Sequence, residues 1–248
     1  MNNNNNMRDN LNTSRCETIA LIPAYNEEGT IETVIKKIME QKIFPLVVDD
    51  GSTDRTVEMA EKTGVKVLKN KINRGKGETI RKGLKYIIEN FDYYKCVVFI
   101  DADMQYKPEE AKNLIKPILD KKAKVVKGTR DLSKIPFRHR LGNKVWRFTY
   151  NRFCGGKIED PCCGFIALSK EVVERIKLDK IYGGYIVDSS LLIEITKNGY
   201  NKRKDIKEIP VSVEYKNVSP IGRGIRMVVG VSVFHFMSGL KRKFGMEN

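Results

Sequence analysis

From residue 18 to residue 128, short β-branched runs alternate with segments of helical period, the pattern of βαβ units around a parallel sheet. Strands are predicted at 18–22, 45–48, 65–68, 96–100 and 124–127. After the first strand, Thr30 can cap a helix whose apolar residues Ile31, Val34, Ile35, Ile38 and Met39 recur at i, i+3, i+4, i+7 and i+8. That single apolar face is expected to pack on the sheet. Ile80, Leu84, Ile87 and Ile88 stripe a further helix, and Pro108 stands where a first helical turn tolerates proline, ahead of Glu109 and Glu110. Beyond Arg130 the regularity fades into helices at 142–153, 169–176 and 187–197, separated by Gly-rich, Cys-containing turns. A last strand at 206–213 carries Pro210, which marks it as an edge. No internal repeat is visible, and no linker is long enough to separate two independent domains.

The chain has 248 residues, 41% hydrophobic and 31% charged, which is the composition of a soluble globular protein able to bury a sizeable core. Three segments are expected: an Asn-rich, disordered lead over 1–15, an α/β domain over 16–215, and a basic amphipathic tail over 216–248. Lys and Arg number 46 against 31 Asp and Glu, a net charge of +15 that calls for a polyanionic neighbour. Five cysteines, an odd number without a C-x-x-C pair, suggest neither a disulfide framework nor a zinc site, so a reducing cytosol is the default. The opening residues do not read as a secretion leader, and no run of 18 apolar residues occurs, so a protein neither secreted nor membrane-spanning is expected. His139 and His235 have no H-x-x-x-H partner and read as a surface and a tail residue. With no RNA-binding motif and no regular basic and aromatic interleaving, nucleic acid is a poor account of the charge.

In an open parallel sheet, ligands bind beyond the carboxyl ends of the strands. Here those ends are acidic: Glu27 and Glu28 after the first strand, Asp49, Asp50 and Asp54 after the second, Asp101 and Asp103 after the fourth. Carboxylates gathered at one edge repel unless a cation stands between them. Asp101, Asp103 and Gln105, at alternate positions leaving a strand, offer hard oxygen ligands suited to Mg²⁺ or Mn²⁺. D-x-D alone is common and equally fits a polar turn in which Asp103 bonds backbone amides; three acidic strand ends together favour the ion.

The segments IPAYNEEGTI, VVDDGSTDRT, NRGKGETIRKGL, VVFIDADMQYKPEE and GTR follow one another in the order of the inverting GT-A glycosyltransferases of family 2. Within that family, D-A-D followed by a hydrophobic residue and Gln resembles the dolichyl-phosphate mannose synthases and their polyprenyl-phosphate sugar transferase relatives. The resemblance covers about 18–213 and is most specific over the first 130 residues. It implies an α/β GT-A fold, Rossmann-like, with a mostly parallel sheet flanked by helices. It also implies transfer from a GDP- or UDP-sugar to a dolichyl or polyprenyl phosphate, with Mg²⁺ or Mn²⁺ held by Asp101, Asp103 and Gln105. Pro23, Ala24, Tyr25 and Glu27 would line the base and ribose, Asp50 would meet the base edge, and Lys76 would reach the phosphates with Asp101 and Asp103 beside them. Asp103 and Asp160 are the catalytic candidates, Asp160 either orienting the acceptor or only stapling its turn.

Arg130, with Arg138 and Arg140, falls at the acceptor side of the family pattern, and guanidinium forks suit a phosphate acceptor. Cys162 and Cys163 replace the usual small hydroxyl residues and read as core thiols, while Trp146 reads as packing. Departures from the family are Tyr106 after Gln105, Ser rather than an acid ahead of Leu191-Leu192, and a missing downstream Arg-x-x-Gly-x-Ser segment. A lipid phosphate is already anionic and needs no strong base. Transfer to a hydroxyl on a glycan or small molecule would need one, with Asp160 or Asp188 as candidates. A catalytically silent nucleotide-sugar-binding subunit is a further alternative. The apolar run 227–237, 11 residues long, is too short to span a bilayer; with Arg223 and Arg226 before it and Lys241, Arg242 and Lys243 after, it reads as an interfacial helix on an anionic membrane surface. The expected location is therefore cytoplasmic and peripheral on the cytoplasmic membrane face, with a separate membrane subunit as an allowed partner. A tail helix packed on the core is the alternative.

Overall fold

Along β1 (Thr18–Ala24) successive side chains pass to opposite faces of a sheet, as strand geometry requires. Ile19 and Leu21 join a core with Ile80, Leu84 and Ile87, while Ala20 and Ile22 join another with Ile31, Val34, Ile35 and Ile38. The helices α1 (Ile31–Met39) and α3 (Lys76–Asn90) therefore cover opposite faces, and the molecule is built in three layers. The computed structural model describes residues 16–131, 137–202, 204–214 and 221–244, giving only the backbone for 137–139, 185 and 221–225. The expected lead over 1–15 lies outside the described residues.

The remaining elements are β2 (Phe44–Asp49), α2 (Thr56–Lys62), β3 (Lys66–Lys69), β4 (Cys96–Phe99), α4 (Ala111–Leu119), β5 (Val125–Arg130), α5 (Phe137–Phe153), β6 (Ile166–Ser169), α6 (Lys170–Arg175), α7 (Val187–Lys197), β7 (Ile206–Val211) and α8 (Ile221–Lys243). The seven strands lie in the order β3-β2-β1-β4-β6-β5-β7. All neighbours run parallel except at β6, which is antiparallel to both β4 and β5. The five predicted strands of the first half are present, and β7 is an edge, where Pro210 removes no ladder donor from a central strand.

β6 is the element the pattern does not announce. Its four residues sit directly ahead of α6, so Ser169 reads as a helix start, yet Ile166, Ala167 and Leu168 are buried between two strands. Thr30 stands at the predicted cap position, but its hydroxyl donates to the Glu27 carboxylate at 2.9 Å instead of accepting from the helix. α5 starts five residues before the predicted boundary of 142.

The tail helix α8 lies alongside α5. Trp146 Nε1 donates to the Val228 carbonyl at 3.4 Å, Phe153 meets Phe236 edge-on at 5.3 Å, and Arg242 donates to the Cys154 carbonyl at 2.8 Å. His235, read from the sequence as a tail residue, is completely buried between α5, α7 and α8. Its Nδ1 lies 2.8 Å from Thr149 Oγ1 and its Nε2 2.9 Å from Ser189 Oγ. The Thr149 hydroxyl donates to the Trp146 carbonyl, so it accepts from Nδ1–H, and Nε2 accepts from Ser189. Burial pulls the imidazole down to about 4, which keeps it neutral.

Candidate active site

The turns after β1 and β2 hold each other. Asn26, at a left-handed φ of 55°, donates its amide to Ser52 Oγ at 2.9 Å and accepts at Oδ1 from the Thr53 amide at 2.9 Å. Glu28 accepts from the Arg55 amide, and Asp54, one residue ahead of the N-cap Arg55, accepts from the amides of Thr56 and Glu28, which ties the start of α2 to the turn after β1. Gly51 has φ of 75°, and a Cβ on it would stand 2.7 Å from the Ile72 carbonyl carbon. Only glycine lets the loop 70–75 close over this turn. Asp49 Oδ2 accepts from the amides of Gly51 and Ser52, a staple of its own turn.

Asp50 is buried and organises that loop: its Oδ1 accepts from Asn70 Nδ2 and the Arg74 amide, its Oδ2 from the Gly75 amide at 2.7 Å. The carboxylate expected at a base edge thus also presents Lys76, the first residue of α3. Pro23, Ala24, Tyr25, Glu27, Asp50, Lys76, Asp101 and Asp103 line one cleft of about 320 Å³, with the N-terminus of α3 opening into it. Tyr25 is exposed at its rim, available for stacking.

Asp101, Asp103 and Gln105 do not leave β4 as an extended strand. β4 ends at Phe99, and the segment turns, with Met104 at a left-handed φ of 59° and the Gln105 amide donating to Asp103 Oδ1 at 2.9 Å. Strand alternation therefore does not align them. The turn does bring Asp101 and Asp103 to the cleft, while Gln105 is not among the residues lining it. Among the described residues no group of three or more His, Cys, Asp or Glu is placed to hold a metal. Two carboxylates at a cleft mouth nonetheless fit a small hard ion that takes its other ligands from water and a diphosphate. The cation that Asp101 holds in the structure is Lys76, whose Nζ lies 2.5 Å from Oδ1. Burial pulls this ammonium down, but the charges of Asp101, Asp188 and Asp103 outweigh it and leave Lys76 raised above an ordinary lysine.

Outside the residues that line this cleft, at the end of β5, Arg130 and Asp160 are each other's partner. Nε and Nη2 of Arg130 donate to Oδ2 and Oδ1 of Asp160 at 2.7 and 2.8 Å, with both side chains at most a tenth exposed. Burial would raise the Asp160 carboxyl, and the Arg130 hydrogen bonds override it and hold the group below the usual carboxylate range. Asp160 also accepts from the Cys162 amide, so it staples its turn. A carboxylate so occupied is a poor general base, which counts against Asp160 as the base that a hydroxyl acceptor would need and matches its reading as a staple of the turn. Arg130 Nη2 is 3.5 Å from Asn143 Oδ1, which joins the pair to the start of α5, where Arg140 is half-buried. Arg138 lies in α5 with its side chain outside the described residues.

Residues 19–177 match the family model described as glycosyl transferase family 2. The chain belongs to that family. It is 27% identical to the UDP-N-acetylglucosamine–dolichyl-phosphate N-acetylglucosaminyltransferase of Methanococcus voltae, over 89% of this chain and 94% of that one. It is 30% identical to the dolichol-phosphate mannosyltransferase of Pyrococcus furiosus over 92% of this chain, which spans 63% of that longer protein. Among solved structures it resembles glucosyl-3-phosphoglycerate synthase of Mycobacterium tuberculosis in complex with Mn²⁺, UDP and glucosyl-3-phosphoglycerate, with TM-score 0.67, 24% identity, and 94% and 81% of the two chains covered. The fold is GT-A, and the protein is a glycosyltransferase.

Two residues next to the transferase's cleft, though not among its lining residues, bear on it more than the sequence suggests. Asp188, weighed only as a base for hydroxyl acceptors, stands in the first turn of α7 beside Lys76 and Gly164. The serines behind it have structural work: Ser190 Oγ accepts from the Tyr182 amide and Ser189 meets His235. Tyr106 is buried against Phe165, its hydroxyl accepting from the Gly164 amide at 3.3 Å, so it shapes the floor between Asp101 and the Asp160 turn. Cys163 is fully buried, as a core thiol is, whereas Cys162 is partly exposed and departs from that reading.

Proposed function

We propose that the transferase moves a sugar, with inversion, from a GDP- or UDP-sugar to a polyprenyl or dolichyl phosphate at an anionic membrane surface. The observation that carries this reading is the outer face of the α5–α8 pair. The contacts of α8 with α5 come from Val228, His235, Phe236 and Arg242, and the helices run in the same direction. At about 100° per residue, Val229, Val233, Met237 and Leu240 then share another face of α8, with Phe244 just past its end in the same line, and Leu141 and Phe148 of α5 point to the same side of the pair. All seven are exposed. Arg226, Lys241 and Lys243 border this apolar strip, and neither helix contains an acidic residue. No described helix is long and apolar enough to cross a membrane. An acid-free apolar strip with basic borders suits headgroups above and acyl chains below.

In this reading the nucleotide lies across Pro23, Ala24, Tyr25, Glu27 and Asp50, and its diphosphate reaches Lys76 and the N-terminus of α3, where backbone amides and the helix dipole favour anions. Asp101 and Asp103, with Gln105 close in the same turn, would hold Mg²⁺ or Mn²⁺. Such an ion, when bound, neutralises charge building on the leaving diphosphate. Asp160 acts as a positioning residue that fixes Arg130 where the acceptor phosphate enters beside Arg140, the basic α5 segment continuing to the membrane side. The acceptor oxygen is already anionic, so no proton must be removed from it. The transferase's relatives named for dolichyl-phosphate acceptors support this choice.

The deciding experiment measures release of nucleoside diphosphate from a panel of GDP- and UDP-sugars, with polyprenyl phosphate in anionic liposomes, with a soluble phosphorylated acid such as 3-phosphoglycerate, or with no acceptor. Release stimulated only by the lipid phosphate is expected. Stimulation by the soluble acid alone, or no flotation with anionic liposomes at low salt, would overturn the acceptor and the location together.

A further inference from the structure

Lys76 occupies an unusual position for a residue whose expected partner is a diphosphate: its ammonium is 2.5 Å from Asp101, a carboxylate expected to hold a divalent ion. The placement is built in from three sides. Asp50 holds the Arg74 and Gly75 amides, which sets the start of α3. Gly77 lets the chain at Tyr182 and Gly183 press against the first turn, since a Cβ there would come within 2.6 Å of Gly183 Cα. Gly164 leaves space for the ammonium, because a Cβ on it would lie 3.1 Å from Lys76 Nζ, 3.4 Å from Asp101 Oδ2 and 3.6 Å from Asp188 Oδ1. The ammonium thus stands among carboxylates that a divalent ion would also seek.

An oxygen engaged by an ammonium at this distance is poorly available to a metal, and a second cation a few ångströms away is repelled by the first. We propose that Lys76 is a tethered counter-cation that competes with the divalent ion for Asp101, and that the donor's diphosphate ends the competition by drawing the ammonium onto its own oxygens. The ion and the nucleotide then bind as a pair, each weakly alone. Differential interaction of this kind is what a coupling free energy between two ligands requires, and it is reciprocal. Asp101 is in this way kept neutralised until a donor arrives, with no separate lid needed. The inference rests on the donor reading above and assigns Lys76 two successive partners.

The test is Mn²⁺ binding by the full chain, followed by electron paramagnetic resonance of free Mn²⁺ without nucleotide and with saturating UDP or GDP, so no turnover is required. Lys76→Met and Lys76→Gln should each bind Mn²⁺ alone about tenfold or more tightly than the parent, and the tightening by nucleotide should shrink by a similar factor. Lys85→Met removes the same charge from the exposed side of α3 and should leave Mn²⁺ binding unchanged. Mn²⁺ affinity that is equal or weaker in both Lys76 variants, with nucleotide-dependent binding by the parent intact, would overturn the role of Lys76 and preserve the donor site. Equal gains in Lys85→Met would reduce the effect to net charge and overturn it as well. Absence of Mn²⁺ binding by every form, with or without nucleotide, would overturn both the inference and the metal-assisted donor reading.

Discussion

The two sides of the cleft are held together in different ways. On the proposed donor side, residues from the ends of β1, β2 and β4 are fixed chiefly by backbone amides of the turns: Asn26 to Ser52 and Thr53, Asp50 to the 74–75 amides, Asp103 to the Gln105 amide. On the proposed acceptor side the Arg130–Asp160 pair joins distant side chains, as His235 does between Thr149 and Ser189 within the helices of the second half of the chain. Backbone joints persist when one side chain is changed, whereas a buried side-chain pair leaves an orphan when one partner goes. The donor side should therefore lose chemistry before it loses structure, and the acceptor side should lose structure first.

The sharpest break in that contrast is Arg130→Ala. It leaves the Asp160 carboxylate almost fully buried without its guanidinium, a cost of about 3–5 kcal/mol. A large fall in the midpoint of denaturant unfolding is expected, together with a raised acceptor KM in the protein that remains folded, and donor affinity nearly unchanged. An unfolding midpoint equal to the parent's would mean that the pair is not the joint described here.

Asp103→Ala should do the opposite. Transfer at ordinary Mg²⁺ or Mn²⁺ should fall by about 10²- to 10³-fold, the scale of losing one preorganised electrostatic contact, while thermal unfolding stays near that of the parent. Full activity of this variant in EDTA would remove Asp103 from the ion site.

His235 gives the helical second half of the chain a pH dependence. The neutral imidazole is favoured in the folded chain, near 4 against the ordinary 6.5, so the unfolded chain binds the proton more readily. Stability from this group is complete above about 6.5 and is lost as pH falls toward 4, by at most about 3 kcal/mol at 1.36 kcal/mol per unit. His235→Gln should flatten that part of a plot of unfolding midpoint against pH. A parent and variant with parallel slopes between pH 6.5 and 4 would refute it.

Gly51→Ala combines two costs. Alanine there must hold a left-handed φ, costing about 1–2 kcal/mol, and must push the 72–73 backbone aside. Because that loop leads to Lys76, nucleotide affinity should fall further than stability does, as read by isothermal calorimetry with UDP or GDP beside a thermal melt. Loss confined to stability would detach the loop from the donor site.

How much of this was legible without coordinates follows from the range of each interaction. The first-half strands and the face of α1 rest on periodicity, and they are present as read except that Met39, at the end of the α1 stripe, is exposed. The strand-end acids were found for the same reason, since a parallel sheet carries its ligands beyond its carboxyl edge. The ordering of Asp101, Asp103 and Gln105 by strand alternation was misread because β4 stops at Phe99, and its length depends on pairing with β1 and β6. Three other features were decided only by tertiary structure. β6 reaches the interior by pairing antiparallel with strands far from it in sequence, Arg130 meets Asp160 across 30 positions, and His235 is buried by α5 and α7 together. Each depends on which elements pack against which, and a single sequence encodes that only through the summed burial of the whole core, not through any local signal.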